Sequence, residues 1–457
     1  MNNKLEVAIL AAGKGTRMNS KLPKVLHTIG GCSLVGHVIK KAKQLNCEKI
    51  HLVYGFGGEI LKANIDEELI CWAEQQQQLG TAHAVQQIQE NINPANDILI
   101  LYGDVPLTST ETLEQLIAVK ENSNLAILTA QLRDSTGYGR IVRNEQGQIQ
   151  KIVEEKDASD EIKQIREINT GIMLISGKKL IQWLAQINNN NAQQEYYLTD
   201  IVELAVKDQE DIAAYICENE MEIQGINDKS QLATLECEYQ RQQVDILLTN
   251  GVTLRDPERV DIRGELTTAM DNEIDVNVIF EGKCSLGDNV KIGANSIIKN
   301  STIADNVTIL ENCIIENSII NESCTIGPFA RLRPETIMEK GSKAGNFVEI
   351  KKSTIGAGSK VSHLSYIGDT QMGKNVNVGA GTITCNYDGA NKHKTEIADG
   401  VFVGSNSSLV APISIAENVT IGAGSTLSNS VNDECLIVVR AKARLINNWK
   451  RPVKAAK

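Results

Sequence analysis

Between about Leu286 and Val431, aliphatic residues return every six positions. Leu286, Ile292 and Ile298 open the series, followed by Ile303, Ile309 and Ile315, then Ile326, Leu332, Met338, Ala344 and Ile350. It continues through Ile355, Val361, Ile367, Met372 and Val378, and after a break through Ile397, Val403, Leu409, Ile415, Ile421 and Leu427. The next residue is often glycine, as at Gly287, Gly293, Gly345, Gly356, Gly379 and Gly404. Four residues after the aliphatic one stands a small or β-branched residue such as Ser296, Val307, Ser359 or Ser425. A period of six fits neither an α-helix nor an amphipathic strand. It predicts a left-handed parallel β-helix of hexapeptide repeats: three hexads close a coil, the aliphatic residues form an internal column, and glycine relieves strain at the bends. A few five-residue steps read as slips in phase.

The N-terminal half has a different rhythm. Val7-Ala8-Ile9-Leu10-Ala11 is a short apolar run ended by Gly13-Lys14-Gly15-Thr16-Arg17-Met18, and it reads as a buried strand. Ser33 to Leu45 reads as a helix, Ile50 to Val53 as a strand, and the segment after Thr81 as a helix. Asp97 to Tyr102 is a strand ending at Gly103-Asp104-Val105-Pro106. Such alternation predicts an α/β Rossmann-like sheet with helices on both faces. From Asp228 to Asn250 the pattern is helical and polar, with Leu232, Leu235, Tyr239 and Leu247 on one face and Gly251 as the stop. The expected division is 1–227 for the α/β domain, 228–250 for a linker helix, and 251–457 for the β-helix and a C-terminal tail.

Composition narrows the picture. A chain of 457 residues is long for a single core, and aromatics at 4% suit a core of aliphatic columns. A net charge of −11 argues against a general nucleic-acid binder, though not against a small phosphorylated substrate. The opening Met1-Asn2-Asn3-Lys4 leads into an apolar run too short for a signal peptide, and no run is long enough to span a membrane. Ten cysteines without a C-x-x-C pair or a His/Cys cluster predict idle thiols in a reducing cytoplasm rather than disulfides or zinc.

Two places carry candidate chemistry. A strand running into a glycine loop is how α/β proteins place a phosphate site, and Lys21 and Lys24 add cations to it. The loop is neither a Walker A motif nor a dinucleotide fingerprint, so alone it reads equally as a turn. Asp104, at the tip of a buried strand, is a natural Mg²⁺ ligand or, more plainly, a turn residue. In the β-helix the phase breaks at Thr384-Cys385-Asn386-Tyr387-Asp388-Gly389-Ala390-Asn391-Lys392-His393-Lys394, which must leave the prism as a loop. Arg333 and Lys351 are one coil apart and can meet one phosphate, with Asn386 about two coils beyond Lys351. His363 alone reads as a surface histidine.

The string Leu10-x-x-Gly13-x-Gly15-Thr16-Arg17-Met18 followed by Pro23-Lys24 resembles the signature of nucleoside-diphosphate-sugar pyrophosphorylases. With the Asn386-Tyr387-Asp388-Gly389 loop and the tail Trp449-Lys450-Arg451-Pro452-Val453-Lys454, the whole chain resembles the bifunctional N-acetylglucosamine-1-phosphate uridyltransferase/glucosamine-1-phosphate acetyltransferase family. That resemblance implies UDP-N-acetylglucosamine synthesis for cell-wall and lipopolysaccharide precursors, with UTP and acetyl-CoA as co-substrates. It implies Leu10, Ala11, Ala12, Gly13, Arg17, Lys24, Tyr102 and Gly103 around the nucleotide and sugar phosphates, with Lys24 and Arg17 offsetting charge. Gln75, Gly80 and Thr81 would read uracil, Gly139, Glu154 and Asn169 the sugar, and Asp104 and Asn227 would hold Mg²⁺. In the β-helix it implies Arg333 and Lys351 on the glucosamine-1-phosphate phosphate, Tyr366, Asn377 and Asn386 near the sugar, and His363 as base with Glu349 orienting it. Acetyl-CoA would run along Ala380, Asn386, Tyr387, Ser405, Ala423 and Arg440. A homotrimer built along the prism, cytoplasmic and without nucleic-acid or membrane partners, completes the expectation.

Two rivals stand beside it. One is a monofunctional sugar nucleotidyltransferase whose β-helix is a scaffold or regulator. The other is a non-catalytic subunit of a larger assembly.

Overall fold

The computed structural model describes residues 4–65, 68–121 and 123–452, and the chain divides into two compact units, Met1–Tyr239 and Gln240–Lys457. Met1 to Asn3 and the tail residues Val453 and Lys454, both used in reading the sequence, lie outside the described residues.

The first unit is built on a twisted sheet. In spatial order its main strands are Ile212–Cys217, Leu125–Gln131, Glu167–Ser176, Asp97–Tyr102, Leu5–Ala11, Lys49–Tyr54 and Ile70–Glu74. Six run parallel, while Glu167–Ser176 is antiparallel to both its neighbours. The apolar runs arise because central strands are covered on both faces. Alternate residues of one strand serve different layers: Val7, Ile9 and Ala11 join one core cluster, Ala8 and Leu10 the other. The helix Leu34–Gln44 starts where the Ser33 hydroxyl accepts the Gly36 N–H at 3.1 Å. Register pairs Leu10 with Tyr102, Ala11 with Tyr54 and Tyr54 with Glu74. The loops at Ala12, Gly55, Gln75 and Gly103 therefore leave the sheet along one edge, at the strands' carboxyl ends.

The helix Lys229–Thr249 begins in the first unit, where Leu235 is buried with Met18, Ile29 and Leu34. It ends in the second, where Val244 and Leu247 join the prism core.

The second unit is a stack of parallel coils with three ladders of short strands. One ladder steps through Lys343, Lys360, Asn377 and Phe402. A second steps through Ile297, Ile314, Arg331, Glu349, Tyr366 and Ile383. A third steps through Thr302, Ile319, Ile337, Thr354 and Gln371. The hexad residues Ile292, Ile298, Ile303 and their successors point inward and form one continuous core. Each buried Ile or Leu stabilises the stack by about 1.5–3 kcal/mol.

Two details differ from the sequence expectation. Apart from Gly327, at φ +94°, the glycines directly after the inward residues are not at strained bends. They are close approaches between coils: a Cβ on Gly345 or Gly356 would lie 2.0 Å from the carbonyl oxygen of Ser362 or Gly373 on the next coil. The left-handed corners, three residues after the inward one, are shared by asparagine, as at Asn289, Asn295, Asn306, Asn312, Asn406 and Asn418, and glycine, as at Gly341, Gly358, Gly381, Gly400 and Gly424, the two residues that best tolerate this region. The five-residue steps are also ordered. Ile298 to Ile303, Ile315 to Ile320, Ile350 to Ile355 and Ile367 to Met372 all cross from the second ladder to the third, turning on Asn300, Asn317, Lys352 and Asp369 at positive φ.

At the phase break the chain leaves the prism and returns in register. Thr370 pairs with Thr395 and Met372 with Ile397, and the coil-to-coil separation rises from 17 or 18 residues to 25.

Candidate active sites

The first site lies along the carboxyl edge of the sheet. Lys24 follows Pro23 on a short 3₁₀ turn, Lys24–Leu26, and its Nζ donates to Asp104 Oδ2 and, at 3.2 Å, to Asn227 Oδ1. The Asp104 carbonyl accepts the Ile226 N–H at 2.9 Å, and the Gly103 N–H reaches Leu10 O at 2.9 Å, so three loops are tied together here. Asp104 and Asn227 thus present two hard oxygen donors around a point where the fold already holds an ammonium. Mg²⁺ prefers such oxygen donors and takes its remaining ligands from water and phosphate, so these residues fit it. Among the described residues no group of three or more His, Cys, Asp or Glu forms a metal cluster. Arg17 is exposed on the turn Thr16–Met18, and among the described residues no hydrogen bond or ion pair joins it to Lys24, Asp104 or Asn227.

Farther along the edge, Gln75 is buried and its Nε2 meets Gly80 O and His83 Nδ1. Thr81 Oγ1 accepts the Leu198 N–H at 3.0 Å. On the other side the Asn169 N–H donates to Gly139 O at 2.8 Å, and a Cβ on Gly171 would strike the Tyr102 ring. Burial raises the Tyr102 phenol, with Glu154 and Asp104 adding to the shift, so it stays a neutral donor. Burial likewise raises Glu154, while Thr199, whose hydroxyl donates to Glu154 Oε1 at 3.1 Å, opposes it.

Behind Glu154, burial raises Asp200 to about 6, with Glu203, Glu154 and Asp157 contributing. Its ordinary value is 3.8. A carboxyl that binds its proton more tightly when folded costs nothing below about pH 4, loses stability as pH rises to about 6, and keeps that loss above it. Asp200→Asn is therefore expected to stabilise the fold at pH 8 by on the order of 1 kcal/mol, discounted for partial exposure, or about 2–4 °C in Tm, and to leave it unchanged at pH 4. Equal shifts at both pH values in thermal unfolding would contradict this account.

The second site sits on the prism. Arg333 lies one coil below Lys351, and Arg333 Nη1 donates to Glu349 Oε1 at 2.8 Å. The Lys351 ammonium is held below its ordinary range by the neighbouring Lys392 first, then by burial, with Arg333 adding and Asp369 opposing. Cations pressed together in this way make a receptor for an anion. The loop supplies Lys392 because Asp388 staples it: its carboxylate accepts the N–H groups of Asn391 and Ala390 and pairs with His393 at 2.7 Å, which holds it far below the usual carboxylate range. Asn386 Nδ2 donates to Asp369 Oδ2. A Cβ on Gly368 would lie 2.5 Å from the Tyr366 hydroxyl and 2.8 Å from Asn386 Nδ2, so these two groups meet over that glycine.

His363 is exposed, one coil above Asn346, and its Nδ1 meets Asn346 Oδ1 at 2.5 Å. An amide oxygen only accepts, so Nδ1 carries a proton; in the neutral ring Nε2 then keeps the lone pair that a general base requires. The expected partner of His363, Glu349, is instead engaged by Arg333. Asn386, expected in the Arg333 and Lys351 column, stacks over Asp369. Asn377 stands on the Lys360 and Phe402 ladder, one coil above the strand Lys360–His363. Ala380, Ser405 and Ala423 follow one corner upward, with Asn406 N to Ala380 O and Gly424 N to Ser405 O both 2.8 Å, and Arg440 lies against Gly424. Tyr387 is exposed and its hydroxyl donates to Gly389 O. Reading the sequence missed Asn346, Asp369, Thr199 and Lys392 as site residues. The coil spacing that paired Arg333 with Lys351 also pairs Asn346 with His363.

Comparison with known proteins adds the following. The family profile of the MobA-like NTP transferase domain matches residues 7–197, that of the GMPPB C-terminal domain residues 262–341, and that of the bacterial transferase hexapeptide (six repeats) residues 394–429. The bifunctional protein GlmU of Marinobacter nauticus (strain ATCC 700491 / DSM 11845 / VT8) is 53% identical over 451 residues, spanning 99% of each chain. A putative glucose-1-phosphate thymidylyltransferase from Bacillus anthracis, solved with a sucrose, matches at 18% identity and a TM-score of 0.41, over 51% of this chain and 94% of that one. A UDP-glucose pyrophosphorylase complexed with UDP-glucose matches at 16% and 0.45, over 53% and 100%.

Proposed function

The chain belongs to the bifunctional GlmU family, and from that premise we propose how its two sites perform the two reactions. It is a bifunctional transferase: it acetylates glucosamine-1-phosphate with acetyl-CoA, then transfers the uridylyl group of UTP to N-acetylglucosamine-1-phosphate and releases pyrophosphate.

Acetyl transfer belongs to the prism. Arg333, Lys351 and Lys392 hold the sugar phosphate, and Tyr366 and Asn386 orient the ring. The amine attacks the thioester carbonyl while His363 Nε2 accepts its proton, and the thiolate leaves with coenzyme A. Asn346 keeps the imidazole in the tautomer this requires. Ala380, Ser405, Ala423 and Arg440 mark the corner along which coenzyme A lies. The observation that carries this reading is the His363 Nε2, turned away from Asn346, on the same stack as three cations, Arg333, Lys351 and Lys392, that outnumber the carboxylates beside them, Glu349 and Asp369.

Uridyl transfer belongs to the sheet edge. The nucleophile is a phosphate oxygen already charged, so no base is needed, and the work is alignment and charge neutralisation. Bound Mg²⁺ would neutralise the triphosphate, with Asp104 and Asn227 as its protein donors. Lys24 turns from Asp104 to the phosphates when substrate enters. Tyr102, Glu154 and Asn169 orient the sugar, and the Gln75 side chain meets the base.

Purified protein with acetyl-CoA should release free thiol only when glucosamine-1-phosphate is added. No sugar-dependent release, with pyrophosphate still formed from UTP and N-acetylglucosamine-1-phosphate, would reduce the prism to a scaffold.

We also propose a trimer built along the prism. Phe329, Phe347 and Leu364 stack on one corner and are 49%, 56% and 62% exposed, with the two rings 5.2 Å apart. Leu445, Ile446 and Trp449 are exposed in the tail. Light scattering that reads a single 49.9 kDa chain would refute the assembly. Among the described residues no helix is long and apolar enough to cross a membrane, and a cytoplasmic site of action suits the substrates of both reactions.

A further inference from the structure

Gln75 sits where the strand Ile70–Glu74 ends, and the residue is 3% exposed. Its backbone N–H is spent on Tyr54 O at 2.7 Å. Its Nε2 lies 3.2 Å from Gly80 O and 3.0 Å from His83 Nδ1. A backbone carbonyl can only accept, so the atom facing it must be the NH₂ group, and the identity of the two amide atoms follows from this network. Both amide hydrogens are then used, one on Gly80 O and one on His83 Nδ1. That leaves Oε1. It makes no hydrogen bond to any described residue, and it is not among the buried polar atoms sealed from solvent without a partner.

We infer that His83 is a positioning residue for nucleotide selection: as an unprotonated acceptor at Nδ1 it locks the Gln75 amide with Oε1 turned outward, toward a pyrimidine that offers a donor at N3. Uracil carries N3–H. Cytosine carries a bare lone pair at N3, which an outward carbonyl oxygen repels. This deepens the reading above, and it rests on Gln75 being the residue that meets the base. Gln87 Nε2 donates to the His83 backbone carbonyl at 2.8 Å and stands 3.3 Å from the ring Nε2; a neutral imidazole accepts at only one nitrogen, and the shorter contact, 3.0 Å from Gln75 Nε2, is the one at Nδ1, while the Tyr196 ring lies with its centroid 6.4 Å away. The helix that carries His83, Thr81–Gln86, is tied at its start by Ala82 N to Tyr196 O.

Removing the acceptor frees the amide to turn over and offer NH₂ to the base. The full chain with His83→Ala should therefore lose about tenfold in the ratio of kcat/KM for UTP over CTP, mainly through a higher KM for UTP. KM for N-acetylglucosamine-1-phosphate, thiol release in acetyl transfer and Tm report whether the rest of the molecule is intact. His83→Gln, which can present an amide oxygen from the same position, should restore most of the ratio. A Gln75→Leu variant separates the two levels of the argument. If Gln75→Leu lowers the ratio and His83→Ala does not, or if His83→Ala slows UTP and CTP equally, the role assigned to His83 is overturned. If neither variant changes the ratio, Gln75 does not meet the base and the underlying placement falls with it.

Discussion

Replacing His363 with alanine is expected to lower acetyl transfer to glucosamine-1-phosphate about 10²–10⁴-fold, the usual worth of a positioned general base, while uridyl transfer keeps essentially its full rate. The selectivity follows from where the ring stands. His363 is exposed, on a strand whose inward residue is Val361, and its side-chain hydrogen bond is the one to Asn346. Losing the ring opens no cavity in the prism core and breaks no ladder bond. The core column of Val361, Ala344 and Val378 stays filled. A thiol-release assay beside a pyrophosphate assay on the same preparation reads both reactions. Retained acetyl transfer in His363→Ala would mean that another group takes the proton.

Asp104→Ala should do the reverse. Its carboxylate is the strongest partner of Lys24, it stands beside Asn227, and it is mostly buried at the tip of the strand Asp97–Tyr102. Without it Lys24 loses its tether, and the pair of oxygen donors suited to Mg²⁺ is halved. A loss of about 10²–10³-fold in pyrophosphate release is expected, comparable to removing one preorganised electrostatic group. Chelation of divalent cations in the unaltered protein should reproduce the defect and leave thiol release unchanged. The Asp104 backbone carbonyl still accepts the Ile226 N–H in the variant, so the loop keeps its anchor. Either substitution abolishing both reactions in a folded protein would refute two independent sites.

Much of the architecture was legible because it is repetitive. A buried aliphatic at every sixth position leaves a mark that survives single exceptions such as Thr384. That residue takes an inward place with its hydroxyl bonded to the Gly368 N–H at 2.8 Å. The strand at Asp97–Tyr102 and the helix at Lys229–Thr249 were legible from apolar runs and spacing. Which glycines serve bends and which serve close approach was not legible. Close approach between coils and a strained bend demand the same residue, and only the distances at Gly345 and Gly356 separate them. The candidate sites divide in the same way. Arg333 over Lys351 follows from counting coils, because the repeat turns sequence distance into height. Lys392 does not, because its loop leaves the count and returns under the control of Asp388. The partner of His363 was misassigned to Glu349 for a related reason. A carboxylate is the usual guess beside a histidine, yet Glu349 belongs to the ladder that carries Arg331 and Tyr366, and His363 to the ladder that carries Asn346.

The even spacing of the ladders also bears on how the prism comes into being. Each coil bonds to the one 17 or 18 residues earlier, or 25 where the loop intervenes, and among the described residues no coil-to-coil bond in the ladders waits for the far end of the chain. The entropy of closing such a segment is nearly the same at every step, since it grows only with the logarithm of length. Once one coil exists, the next has a template, so a nucleus anywhere can propagate. Synthesis delivers the chain from its N-terminus, so the coils can form in the order in which they emerge, each completed turn waiting only for the next few residues to leave the ribosome.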